Sequence, residues 1–294
     1  MAPRPRHALI TGGSRGIGLA IAQLFAKNSY RCTLISRSEE DLKAAIATLQ
    51  PLSPYTGRLH IFPSQASDTT DPPPEKTSSP YQHSYIAGNV AEASRFWCTT
   101  PSGAFGQHFS QTDWRNSSTD PSRIDVLVNC AGLSQAKLFT ALAEGAMATL
   151  VSINLTAMMQ GTKFLIRHGY LRNRQGKDEG EDDFAPVVIN VSSLLGLRGG
   201  YGAVAYAASK AGVLGFTRAL ATEYASHGVR VNALVPGYVD SNMTKNLNTA
   251  EIKKRIPLSR FGTPDEIAHA ALFLTQNQYA HNCILNLDGG LSAV

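Results

Sequence analysis

Tyr206 and Lys210 stand four residues apart in an alanine-rich run, Tyr206-Ala207-Ala208-Ser209-Lys210. On a helix that spacing sets a phenol and an ammonium side by side on one face. Ser193 lies upstream, just past the apolar run Val187-Val188-Ile189-Asn190-Val191, so a strand end and a helix start can bring a hydroxyl, a phenol and an ammonium together. Such a trio suits proton transfer to a carbonyl oxygen. A free phenol has a pKa of about 10, too high to exchange protons readily near neutrality. A neighbouring ammonium at Lys210 favours the phenolate and is expected to lower that value. Tyr206 then reads as the general acid, Ser193 as the group that holds a ketone, and Lys210 as the residue that tunes the acid and reaches sugar hydroxyls of a cofactor. Taken singly, a capping serine, a packed phenol and a solvated lysine would account for the three. Their conjunction with the segments around them favours chemistry.

Those segments alternate strand and helix. His7-Ala8-Leu9-Ile10 is a short apolar strand, followed by Thr11-Gly12-Gly13-Ser14-Arg15-Gly16-Ile17-Gly18 and an amphipathic run from Leu19 to Lys27. Strand, glycine turn and helix make a dinucleotide site: glycines let a pyrophosphate approach the helix N-terminus, whose free N–H groups and dipole favour an anion. Gly12, Ser14, Arg15, Gly16, Ile17 and Gly18 are the residues expected at it. The second strand, Arg31 to Ser36, ends at Arg37, where an NAD site would place Asp or Glu for the ribose 2′-hydroxyl. Arg37 and Arg15 suit a 2′-phosphate instead, so NADP(H) is the expected cofactor, although Glu39 and Glu40 are close by.

A third strand, Ser84 to Ala87, runs into Gly88-Asn89-Val90, where an adenine ring would lie. Ile124 to Val128 is a buried strand ending in Asn129-Cys130-Ala131-Gly132, small residues that let a cofactor lie against the backbone. Asn154 falls in a stretch of helical periodicity from Thr140 to His168; a buried amide there must find partners, either as a helix breaker holding water or through that water in a proton relay. Val229 to Val235 reads as a strand ending at Pro236-Gly237-Tyr238-Val239, with a polar lid from Asp240 to Pro257. Thr263-Pro264-Asp265-Glu266 is a helix start and Ile284 to Leu287 the last strand.

The alternation implies an α/β fold, one doubly wound Rossmann-type parallel sheet flanked by helices, in a single domain of residues 1–294. Three stretches break the pattern and are expected to be surface insertions: 51–83, with Pro72-Pro73-Pro74; 98–122, with a short helix around Phe105 to Phe109; and 172–184. A hydrophobic fraction of 43% and a charged fraction of 17% belong to a globular protein. No apolar run is long enough to span a membrane and no secretory signal precedes Gly12, so an intracellular soluble protein is expected. Cys32, Cys98, Cys130 and Cys283 have no disulfide-like or metal-like spacing, and no metal is expected. The net charge of +5 comes without a basic cluster interleaved with aromatics, which argues against nucleic acid.

As a set, Thr11 to Gly18, Asn129-Cys130-Ala131-Gly132, Asn154, Ser193, the Tyr206–Lys210 pair and Pro236-Gly237 resemble the short-chain dehydrogenase/reductases. The resemblance implies a catalytic tetrad of Asn154, Ser193, Tyr206 and Lys210, with the cofactor also touching Pro236, Gly237 and Val239. It implies a homotetramer built on the helices around 140–168 and 204–226. Ile256 to Ala268 and Leu287-Asp288-Gly289-Gly290 look most like the 3-oxoacyl-(acyl-carrier-protein) reductases of fatty acid synthesis, found in bacteria and in mitochondria, which leaves cytoplasm or mitochondrial matrix open. The implied substrate is a ketone on a carrier protein, with Arg167, Arg172 and Arg174 as candidate carrier contacts. A reductase of a polyketide or other small ketone is the alternative, and a cofactor-binding subunit without activity a further one. Asn89-Val90 stands where the family has Asp-Val, Cys130 replaces a second Asn, and Tyr279-Ala280-His281-Asn282 lacks the family's Thr-Gly pair.

Overall fold

The computed structural model describes residues 5–52, 82–109, 122–135, 137–173, 184–245 and 247–294. Seven strands form one parallel sheet: β1 (His7–Thr11), β2 (Arg31–Ser36), β3 (Ser84–Ala87), β4 (Val126–Asn129), β5 (Val187–Val191), β6 (Arg230–Pro236) and β7 (Ile284–Leu287). Their order across the sheet is β3-β2-β1-β4-β5-β6-β7. β1 therefore pairs with β2 on one side and β4 on the other, and the winding reverses there. A reversal of this kind leaves a crevice at the C-terminal ends of the two strands, the natural place for a ligand.

Every residue of β1, β4, β5 and β6 is buried, so these segments are mostly apolar, with His7, Thr11, Asn129, Asn190, Arg230 and Asn232 as buried polar exceptions. Helices cover both faces. On one, α1 (Gly16–Lys27) packs against α10 (Pro264–Gln276), with α2 (Glu39–Ala47) alongside, and Ile21, Phe25, Ile267 and Leu274 join the core beneath. On the other lie α3 (Ala93–Phe96), α4 (Ala104–His108), α6 (Ala157–Arg167) and α8 (Val204–Tyr224). Short helices α5 (Glu144–Val151), α7 (Leu194–Arg198) and α9 (Thr249–Arg255) are also present, α9 lying within the stretch read as a lid.

Two expectations change. The helix expected from Thr140 begins only at Glu144 and is interrupted by a π-helical turn at Ser152–Thr156 before it resumes as α6. The stretch 98–122 is not simply a surface insertion either. Phe105 on α4 is fully buried, its ring 5.2 Å from that of Phe164 and 5.0 Å from that of Tyr170. Phe109 joins them, and Trp97 just upstream packs its indole against Gly161 of α6 and donates from Nε1 to the Val90 carbonyl. An aromatic cluster thus ties residues 96–109 to the sheet. Residues 110–121, and the core of the other two stretches at 53–81 and 174–183, lie outside the described residues.

β6 carries a buried cation. Arg230 donates from Nη1 to the carbonyls of Leu274 (2.7 Å), Asn277 (3.0 Å) and Ala280 (3.1 Å), and from Nη2 to those of Thr275 (2.7 Å) and Ala185 (3.4 Å). These include carbonyls of the last turn of α10, which a cation satisfies and whose dipole it complements.

Candidate active site

The glycine turn and the turn after β4 meet backbone to backbone. Gly12 has φ +69°, and a Cβ there would lie 2.9 Å from Ala131 Cα and N; a Cβ on Gly18 would lie 2.3 Å from the Gly12 carbonyl oxygen. No other residue type fits either place. Thr11 fastens the contact, its hydroxyl accepting from the Cys130 N–H (3.1 Å) and the Ala131 N–H (3.2 Å). Ser14 donates to Ser36 at the end of β2 (3.0 Å). α1 starts after Arg15 with no side-chain cap and no acidic residue in its first turn, so its free N–H groups remain available to an anion.

A cavity of about 460 Å³ opens at these strand ends. Gly12, Ser14, Arg15, Gly16, Ile17, Gly18, Arg37, Asn89, Val90, Ala131, Gly132, Pro236, Gly237 and Val239 line it, and so do Ser193, Tyr206 and Lys210. A dinucleotide suits this donor set: a glycine cradle at a helix N-terminus, two arginines in the lining, and a lysine together with serine and tyrosine hydroxyls. Glu39 does not face it. Its carboxylate is held by Lys43 (2.9 Å) and by the Tyr85 hydroxyl (3.0 Å).

Two expected residues are placed elsewhere. Asn129 is absent from the cavity wall; its Nδ2 donates to Thr162 Oγ1 (3.1 Å) and Asn190 Oδ1 (2.9 Å), tying β4 to α6 and β5. Asn154, in the π turn, also stays behind the wall. Its Oδ1 accepts from the Leu133 N–H (2.8 Å), while Nδ2 donates to the Leu133 carbonyl (3.0 Å) and to Ser209 Oγ (3.1 Å). The side-chain amide holds up the loop under the cavity. In the other direction, Cys130 and Asp240 to Thr244 line the cavity. Cys130 was expected as a small residue of the turn that had lost an amide and Asp240 to Thr244 as part of a lid, and neither was named as a cavity contact.

Ser193 caps α7, its Oγ accepting from the Leu195 N–H (3.2 Å), and lines the cavity together with Tyr206. Lys210 is buried and donates from Nζ to the Val191 carbonyl (2.9 Å). Burial brings its pKa down to about 8. In the cofactor-free protein the Tyr206 pKa moves the other way from the lowering expected beside Lys210. Burial pushes the phenol up, with the Ser193 hydroxyl opposing and nearby Cys130 adding to the rise. Lys210 Nζ points to a carbonyl and lies 5.9 Å from the ring centroid, too weak a counterweight to lost hydration. The Cys130 thiol is itself pushed up to about 11 by burial.

A parallel sheet wound both ways from β1, a glycine turn at its crevice, and serine, tyrosine and lysine on the cavity wall define a class: the chain belongs to the short-chain dehydrogenase/reductase family. The short chain dehydrogenase family model matches residues 6–71, and the enoyl-(acyl carrier protein) reductase model matches residues 115–292. Among individual relatives, the chain is 32% identical to the 3-oxoacyl-(acyl-carrier-protein) reductase of Homo sapiens, over 97% of each chain. It is 29% identical to carbonyl reductase family member 4 of Xenopus laevis, over 96% of each. The fold is shared with the crystal structure of a short chain dehydrogenase from Bacillus anthracis, at a TM-score of 0.70 and 24% identity, covering 98% of this chain and 96% of that one. The protein is thus an oxidoreductase that acts on CH–OH or C=O groups with a nicotinamide cofactor. No helix among the described residues is long and apolar enough to cross a membrane.

Proposed function

We propose that the protein uses NADPH to reduce a 3-oxoacyl thioester, presented on an acyl carrier protein, to the 3-hydroxyacyl product in fatty acid synthesis. The observation that carries this reading is that one cavity is lined both by Tyr206, Ser193 and Lys210 and by Arg15 and Arg37. When bound, the reduced nicotinamide supplies a hydride to the carbonyl carbon. The chain does the rest. Its glycine turn and the α1 N-terminus take the pyrophosphate, Arg15 and Arg37 the 2′-phosphate, and Lys210 the ribose hydroxyls. Ser193 holds the ketone oxygen and Tyr206 gives it a proton. Burial keeps the Tyr206 phenol protonated in the cofactor-free protein, the state a proton donor needs, and makes it a weaker acid, so the positive charge of Lys210 has to favour its release of the proton.

The human relative's name supports the carrier-bound substrate. The Xenopus relative's name favours a second reading, reduction of a polyketide or other small carbonyl compound, and Met243, half exposed on the cavity wall, would contact either kind of chain. Exposed apolar side chains on α5 (Met147, Val151), α8 (Val204) and α10 (Phe273) support assembly into a homotetramer.

The test is turnover of a panel of 3-oxoacyl thioesters and aromatic ketones with NADPH and with NADH. Tyr206→Phe is expected to lower kcat by about 100-fold or more, the scale of a lost general acid. Arg37→Ala is expected to raise the KM for NADPH at least tenfold and leave that for NADH unchanged, since only the former carries a 2′-phosphate. Equal use of both cofactors by the unmodified protein would defeat the NADPH assignment. Preference for aromatic ketones over every thioester would favour the second reading.

A further inference from the structure

We infer that Gln135 is a positioning residue for proton transfer, holding the first turn of α8 and with it Tyr206; the inference rests on the reading of Tyr206 as proton donor. The first N–H groups of a helix have no partner within it, and a Ser, Thr, Asp or Asn at the cap normally supplies one. α8 starts after Ala203, which has no such side chain. Its orphan donors are met from far away in sequence. Gln135 Oε1 accepts from the Ala205 N–H (2.9 Å) and from the Tyr206 N–H (3.2 Å). Its Nε2 donates to the Lys137 carbonyl (2.8 Å), which fixes which end of the amide faces the helix.

This contact closes a ring. Two residues before Gln135, Leu133 is gripped through both its N–H and its carbonyl by Asn154. Asn154 also donates to Ser209 Oγ, whose hydroxyl donates to the Tyr206 carbonyl (2.7 Å). The backbone of Tyr206 is thereby held at its N–H by Gln135 and at its carbonyl by Ser209, and both arms lead back to one asparagine. Tyr206 is the third residue of α8, in the turn that frays first. Lys210 lies a turn deeper and has its own anchor at Val191. Loss of the Gln135 acceptor should then loosen the phenol without touching the cofactor's lysine.

The experiment compares Gln135→Met, which keeps the length and removes the acceptor, with Gln135→Glu, which keeps an acceptor, and with Tyr206→Phe. It reads kcat and KM for one ketone, the NADPH Kd by fluorescence, and the Tm. Gln135→Met is expected to lower kcat by about 10- to 100-fold, the scale of a misplaced reacting group, with the NADPH Kd within about twofold. Gln135→Glu should restore kcat to within about threefold. An unchanged kcat in Gln135→Met overturns the inference. So does a Gln135→Glu variant as slow as Gln135→Met, or a loss of kcat matched by an equal loss of NADPH affinity, which would mark a merely structural role. If Gln135→Met does not accumulate as folded protein, Gln135→Asn, too short to reach α8, takes its place with the same expectations. A fully active Tyr206→Phe would instead overturn the assignment of Tyr206 itself.

Discussion

Burial moves Lys210 and Tyr206 in opposite directions and leaves each in the protonation state that reduction at neutral pH needs. The Lys210 ammonium, whose ordinary pKa is 10.5, falls to about 8, while the phenol rises and stays protonated. Between those two lysine values the unfolded chain binds a proton that the folded chain has released. Stability linked to Lys210 therefore increases as pH climbs from about 8 to 10.5, and the full cost of the buried cation is present below 8. Function runs the other way, because the ribose hydroxyls want the ammonium. NADPH affinity, followed by fluorescence, is expected to weaken as pH rises through about 8 in the cofactor-free protein. In Lys210→Met it should be weaker throughout and flat with pH; a pH limb that survives the substitution would remove the lysine from this account. The spacing of Tyr206 and Lys210 was legible in the chain, but the sign of the phenol's shift was not, since burial is a property of the assembled fold. Asn129 and Asn154 teach the same lesson. Residue type announces that a buried amide needs partners, and only the fold says that the partners are Thr162, Asn190, Leu133 and Ser209.

Among the elements, those that announce their own ends were the easiest to read. α10 opens with Thr263-Pro264-Asp265-Glu266, and in the structure Thr263 accepts from the Glu266 N–H while Glu266 reaches back to the Thr263 N–H (2.8 Å). Arg260 holds the same carboxylate from outside (2.7 and 2.9 Å). Thr263→Ala is expected to cost about 1 kcal/mol, the usual worth of such a cap, measured as a lower midpoint in urea unfolding with an unchanged slope. α8 has no comparable local signal at Ala203, and its cap could not be found by reading neighbours. α4 was foreseen as a short helix around Phe105 to Phe109, but neither its burial nor α3 was, for another reason. Helices of four and five residues are too short to show a period, and their aromatics sit among Ser, Thr and Gly that suggest a loop. The π turn at Ser152–Thr156 shifts the pattern by one residue and blurs the boundary between α5 and α6.

At the scale of the molecule, the alternation of apolar strands and helices was enough to foresee a parallel sheet, and the glycine turn after the first strand marked the crevice. The net charge of +5 bears on the proposed carrier. If an acidic carrier docks by long-range attraction, raising the ionic strength from about 0.05 to about 0.3 M should raise the KM for a carrier-bound substrate several-fold and leave that for a small thioester nearly unchanged. Equal responses would count against a carrier. Arg167, exposed in the last turn of α6, is a candidate contact; Arg172 is half-buried, and Arg174 lies outside the described residues.

Arg230 has a bearing on the order in which the chain can be assembled. Its carbonyl acceptors come from Ala185 and from positions 274, 275, 277 and 280, so a nascent chain that has emerged only through β6 holds a guanidinium with most of its partners still unmade. Burying that cation early would leave it uncompensated. Full pairing of the Arg230 guanidinium therefore needs the chain through Ala280, and a polypeptide released before residue 274 would hold only the Ala185 carbonyl among these acceptors.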